Sequence, residues 1–287
     1  MADNKTVLGE TLSLSSPEWA PIIASKTQDQ ILTGRISGIE KIKINDQVME
    51  CAVVFYGDIK VYIPFEWMGI PREDWTIVRS MMGAEIDFVI RHIDAARKIT
   101  LASREYAMKL RRELELPKHK VGDKILIRID AVGKNEVIAE VYGVETRIPK
   151  TEVEYGYVGN LNDYVQVGDK VPAVIKELDA EKGIVKVSIK EAKPDPREKI
   201  GIKYVKGGEY LGVVRGRKIF PKKDDIVELI FVELEKGITA ACITPPWKAE
   251  KLQDLKVGDT VNVKIVGISR SKNIYGHIIR KQRKGAV

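Results

Sequence analysis

The sequence predicts an all-β chain of three five-stranded barrels in tandem, with a helical spacer between the first and second and a short helix in front. Three observations predict it. A polar phrase, Val-Gly-Asp, recurs at 121–123, 167–169 and 257–259, each time ahead of an alternating apolar run. Counted from Gly83, Gly168 and Gly258, apolar residues return at offsets 3, 5, 7 and 10, and isoleucine stands at offset 16 in every copy (Ile99, Ile184, Ile274). These origins lie 85 and 90 residues apart, so the 287-residue chain carries one unit three times.

The elements follow in order. Residues 1–29 form an extension whose Ser16, Pro17 and Glu18 signal a helix start, with Trp19 expected to pack back on the first barrel. Residues 30–103 are the first barrel. Its period-two runs read as strands with one buried face. The phrase "VYIP" (61–64) closes its third strand; "TRIP" (146–149) does so in the second unit, and Ile63 and Ile148 each precede their glycine by 20 residues. In the third unit the best match is "ACIT" (241–244), only 15 residues ahead of Gly258. Residues 104–117 read as the helical spacer, capped by Ser103 and stopped at Pro117. Residues 118–191 are the second barrel; here the "VGDK" at 121–124 opens strand one, whereas that at 167–170 opens strand four. Residues 192–202 are a linker with two prolines, and 203–287 are the third barrel with a basic end. Three strands, a short link and two more strands make a small closed barrel of the OB type.

Composition narrows the function. Apolar residues make up 44% and charged residues 31%, which suits a folded globular chain, and no apolar run reaches a membrane span. The N-terminus lacks the apolar core of a secretory signal, and Cys51 and Cys242 supply neither a disulfide framework nor metal spacing, so a cytoplasmic setting is expected. The formal charge is +7, and the seven basic residues after Asp259 equal that excess, with no acid among them. Such an end can neutralise phosphates, Arg280 among its donors, or can be a solvated tail. No phosphate-cradling glycine loop, metal-spaced cluster or activated nucleophile is present in the pattern. The expectation is a binding protein without cofactor rather than an enzyme.

The quoted phrases, in this order and repeated, resemble the S1 RNA-binding domain. The second unit, "EVYGVETRIPKTEV" with "VGDKVPAVIKELDAEKGIVKVSIKE", carries the resemblance best; the third diverges in its first half. The resemblance covers about residues 30–285 and implies single-stranded RNA, such as messenger RNA or RNA on the ribosome, held on one barrel face. It places an aromatic or histidine before the Ile of the third strand and an acid and a base around the last hairpin. This assigns Tyr62, Asp94 and Lys98 in unit one, Arg147, Asp179 and Lys182 in unit two, and Cys242, Ser269 and Lys272 in unit three, where the lysine alone suits RNA. The strand-two aromatic positions hold Ala52 and Ile138; Tyr56 and Tyr142, placed outward by alternation, are expected to replace part of the lost stacking. Alternatives stay open. Tyr62 reads as a stacking ring or a plain strand residue, and Arg147 as a phosphate contact or a partner of Glu145 or Glu152. Asp94 and Asp179 suit turns, His92 and His277 ordinary strand positions, and Trp67, Trp75 and Trp247 core caps. The competing function is a protein-interaction scaffold of degenerate barrels.

Overall fold

A computed structural model describes residues 17–44, 47–94, 99–222, 225–243 and 254–282. The first barrel runs β1 (Leu32–Ile44), β2 (Gln47–Tyr56), β3 (Ile59–Pro64), β4 (Glu85–Asp94) and β5 (Ile99–Ser103). Its ring is closed in the order β1-β2-β3-β5-β4, with β3 and β5 parallel. The second comprises β6 (Lys124–Val132), β7 (Glu136–Val141), β8 (Val144–Pro149), β9 (Lys170–Asp179) and β10 (Ile184–Ser188). The third, β11 (Glu209–Lys222), β12 (Asp225–Glu235), β13 (Ile238–Ile243), β14 (Thr260–Ile268) and β15 (Ile274–Lys281), is closed like the first. The all-β reading with three OB-type barrels therefore holds. The second unit, nearest the family pattern in sequence, is the one whose ring lacks a backbone ladder between strands three and five. A side chain bridges there instead: Thr146 Oγ1 donates to the Val185 carbonyl at 2.7 Å.

The front helix and the spacer stand where their signals placed them, and a third, unsignalled helix lies in the first barrel's link. After a short turn at Pro17–Trp19, α1 (Ala20–Gln28) follows, and Trp19 and Ile22 are fully enclosed in the first barrel's core. A short helix, α2 (Trp75–Ser80), lies in the link between β3 and β4, where Trp75 meets Phe65 edge to face at 5.5 Å. The spacer is α3 (Arg104–Glu115), and the Ser103 side chain accepts the Tyr106 N–H at 3.1 Å as its cap.

The recurring phrase has a geometric cause. In Lys120–Asp123 the Asp123 N–H donates to the Lys120 carbonyl, and Gly122 takes φ +93, the residue a type II turn requires at its third position. Gln166–Asp169 and Lys256–Asp259 repeat it, each aspartate also accepting the first residue's N–H through its side chain. The two turns of the second barrel clasp each other's strands. Gly122 N–H donates to Ile175 O of β9 at 2.8 Å, while Gly168 N–H donates to Ile129 O of β6 at 2.8 Å. Strands one and four are antiparallel partners, so the start of each lies beside the middle of the other. The same clasp is needed at both places, which is why one phrase opens two different strands.

The apolar offsets have a cause as well. Stepping from 7 to 10 breaks strict alternation, and at offset 8 each fourth strand carries a bulge. Arg91, Lys176 and Val266 are the residues skipped in pairing with strand five.

The chain divides into two compact units, Met1–Ile148 with Val165–Ser188, and Pro149–Tyr164 with Ile189–Val287. The link between β8 and β9 thus groups with the third barrel rather than the second.

Two alanine substitutions separate turn strain from crowding. At Gly258 (φ +93) a methyl group meets open space, so the cost is that of the left-handed backbone alone, about 1–2 kcal/mol. At Gly168 the methyl carbon would also fall 2.8 Å from the Gly83 carbonyl oxygen. Urea melts should show Gly168→Ala to be clearly the more destabilising; equal losses would contradict the close approach of Gly168 to the Gly83 carbonyl.

Candidate nucleic-acid interface

In the first barrel, cross-strand register sorts the outward side chains into rows. One row is Val53, Tyr62, Leu101 and His92; its neighbour is Phe55, Lys60, Ile99 and Asp94. Phe55 is 54% exposed and His92 is exposed, while the Lys60 ammonium stands 5.8 Å from the Phe55 ring centre and 5.5 Å from that of Tyr62. An open ring beside a cation is the pairing that receives a base and its phosphate. Glu40 borders the patch. Hydrogen bonds from Lys60 (2.9 Å) and the Tyr62 hydroxyl (2.7 Å) hold its carboxyl below the usual range.

Several expected positions shift. Tyr62 is on the expected face but only 5% exposed, packed with Cys51 and Val53 among Ile42, Met49, Ile99 and Leu101. Its ring is therefore covered along its body. Tyr56 does not point outward; it packs against the barrel core with Val54, and Phe55 between them is the outward ring. Ala52 likewise faces the core. Asp94 lies in the Phe55 row, and Lys98 is outside the described residues. Neither Phe55 nor His92 was singled out by the family phrase. Strict alternation anchored on the buried Val54 is the signal that finds Phe55.

The second barrel's equivalent face is sealed. Ala131 and Ile138 join the hydrophobic cluster of the first barrel, packed near Ile77 of α2. Arg147 pairs with Glu136 (2.7 Å) and with Asp74 (3.0 Å) ahead of α2, not with Glu145 or Glu152. Deeper in, the Arg128 guanidinium is shared by Asp87 of β4 (2.7 Å) and Glu140 of β7 (2.8 Å), and Arg111 of α3 also reaches Asp87. Arg104 of α3, 2% exposed, donates to Asp130 at 2.8 Å and to the Met68 carbonyl at 2.9 Å. Tyr142 is in the β7–β8 turn at φ +48 with its ring stacked on His119 at 4.1 Å, so it does not extend a base platform. Asp179 accepts the Lys182 N–H at 3.0 Å and pairs with its ammonium at 3.1 Å, the turn-fixing role.

In the third barrel the "ACIT" register is shifted by one. Cys242 is fully buried in the core at the place Ile63 holds in the first barrel, and Ala241 is the outward equivalent of Tyr62. The outward row is Phe231, Ala241 and Tyr275, followed by Ile243, His277 and Lys264. Tyr275 is 48% exposed. Phe231 is already stacked, its ring 4.3 Å from and parallel to that of Tyr157 in the 149–164 link. Gly216 beneath makes room: a methyl carbon there would fall 2.4 Å from the Tyr157 ring. Lys272 is exposed in the β14–β15 turn at φ +60, with Ser269 shaping that turn, and Arg280 is exposed near the end of β15. Trp247 and the last five residues lie outside the described residues.

No family model matches the chain. It is 26% identical over 255 residues to a 4-hydroxy-3-methylbut-2-enyl diphosphate reductase of Clostridium tetani, covering 84% of this chain and 38% of that protein. It is 24% identical over 257 residues to small ribosomal subunit protein bS1 of Streptococcus pneumoniae, covering 86% and 61%. The chain thus spans only part of these relatives. Among solved structures, a multidomain protein with nucleic acid binding domains from Streptococcus pneumoniae aligns over 89% of this chain and 75% of its own, at 12% identity and a TM-score of 0.22, too loose to bear on function. Fold and sequence together make this an S1-like protein of tandem OB-type barrels. Among the described residues no group of three or more His, Cys, Asp or Glu is placed to hold a metal.

The sealed face carries two carboxyls with opposite pH signatures. Burial disfavours the Asp87 carboxylate, but Arg128 and Arg111 outweigh it and leave the group at about 2. The unfolded chain then binds the extra proton between about 2 and 4, so this stabilisation, about 2 kcal/mol, is complete above that window and is lost as pH falls through it. Burial pushes Asp130 up to about 7 against the pull of Arg104. There the folded state holds the proton, so stability falls as pH rises from about 4 to about 7. Denaturation measured across pH should show Asp130→Asn flattening the upper slope and Asp87→Asn the lower one; unchanged slopes would contradict these assignments.

Proposed function

We propose that the chain is a non-enzymatic, cytoplasmic protein that binds single-stranded RNA, acting in translation or transcript handling. The observation that carries this is the open row of the first barrel, where Phe55 is exposed beside Lys60 with His92 on the adjoining row. Its similarity to relatives named as a small ribosomal subunit protein supports the choice of RNA. Stacking reads an unpaired base by its face, which a duplex hides. The third barrel offers a second patch, with Tyr275, His277 and Lys264 around an apolar floor. Asp94 stands at the hairpin end of the first patch, and Lys272 and Arg280 add phosphate contacts in the third.

A second reading has its own support. The second barrel's face is occupied by protein, and Tyr157 lies on Phe231 of the third, so these surfaces are suited to polypeptide. On that reading the chain is a scaffold, and the first barrel's patch is a docking site for another protein.

Fluorescence anisotropy with a labelled oligouridine and an RNA duplex of equal length separates the two. The RNA reading predicts preference for the single strand and a steep salt dependence. Phe55→Ala should weaken binding by a factor of about 5 to 150, corresponding to about 1–3 kcal/mol of stacking, with the melting temperature unchanged. Tyr62→Ala should instead lower stability by about 2–4 kcal/mol, because a buried ring is removed. Equal affinity for both RNAs, or no effect of Phe55→Ala, would favour the scaffold.

A further inference from the structure

Away from the barrel faces, a cleft of about 500 Å³ opens between α3 and two turns of the second barrel. That volume is within the range of small-ligand sites, roughly 300–1,000 Å³. Its walls are Arg104, Lys109 and Arg112 of α3, Gly69 of the first barrel, and Gly143 and Gly183 of the second. Lys109 and Arg112 are three residues apart and so share a helix face. Among the described residues neither has a carboxylate within ion-pair distance, in a chain where most arginines of this unit are paired.

The glycines make the cleft possible. A methyl carbon on Gly143 would fall 2.2 Å from the Met108 carbonyl oxygen, so this turn presses bare backbone onto the helix. A methyl carbon on Gly183 would come within 3.1 Å of Arg112 Nη1, so the guanidinium lies over that turn. The neighbouring Lys182, on the same turn, adds a third cation, whose partner Asp179 is solvent-accessible. The carboxylates at the rim are Glu105, which is exposed, and Glu145, which is 3.4 Å from the buried Arg104 and faces that charge.

We propose that this cleft is a phosphate site, with the Arg112 fork and the Lys109 ammonium as its donors. A planar guanidinium bonds two phosphate oxygens at once, and an ammonium adds charge without demanding one geometry. The phosphate comes either from the backbone of an RNA strand or from the terminus of a free nucleotide. The site adds to the RNA reading and is separate from the aromatic row that carries it.

The test uses the full chain and a Lys109→Gln/Arg112→Gln variant, with Lys134→Gln in an exposed turn as the charge control. Glutamine suits a helix surface, and thermal melting confirms the fold. Binding of a short labelled oligouridine is followed over a salt series, and inorganic pyrophosphate and uridine monophosphate are titrated by calorimetry. Loss of two phosphate contacts should lower the salt slope by about 1.4, roughly 0.7 for each on a single strand, while the control keeps the wild-type slope. A loss confined to oligouridine assigns the site to the RNA backbone; a matching loss for pyrophosphate or uridine monophosphate assigns it to a terminal phosphate. A double variant indistinguishable from wild type in every arm, or a control that loses as much, overturns the site. If Phe55→Ala still weakens oligouridine in that case, the RNA reading survives. Wild-type protein that binds none of the three probes sinks both.

Discussion

One guanidinium holds much of this architecture in place. Arg128 projects from the outer face of β6 and is enclosed between Asp87 of the first barrel and Glu140 of its own. A buried charge left without partners costs several kcal/mol, about 3–5 when one member of such a pair is removed. The arrangement therefore tolerates no sliding: Arg128 must meet both carboxylates, and Arg104 must meet Asp130 and the Met68 carbonyl. With these contacts fixed, α2 and α3 lie against the second barrel, and Ile138 is buried beside Ile77 of α2.

The consequence is functional. The same sheet surface has different fates in the three barrels. In the first it stays open, with Phe55 and His92 outward. In the second it is consumed by the joint. In the third it is shared, Phe231 taken by Tyr157 and Tyr275 left free. On this account repetition of a binding fold does not mean repetition of a binding site; the middle barrel trades its face for rigidity.

How much of this is legible in the sequence depends on the range of the interaction. Turn chemistry is local, so the type II turns at Gly122, Gly168 and Gly258 are readable as one phrase, and the bulge at Arg91, Lys176 and Val266 is latent in the offsets. The Ser103 cap is local too. Which side of a strand faces out is fragile by contrast, because one residue of error inverts it. That is why Tyr56 is placed wrongly while Phe55 is overlooked, and why Cys242 is set in the place that belongs to Ala241. What covers Tyr62, and what Arg147 meets, is set by residues distant in the chain, and no phrase encodes Asp74 as the partner of Arg147.

On the proposed RNA reading, an open first-barrel face and a sealed second-barrel face divide the labour. Backbone amide shift mapping by NMR during titration with oligouridine tests it most directly. The account predicts changes clustered at Phe55, Lys60, Leu101 and His92, with Ala131, Ile138 and Arg147 undisturbed. Changes centred on Ile138 and Arg147, with the Phe55 row silent, would contradict it.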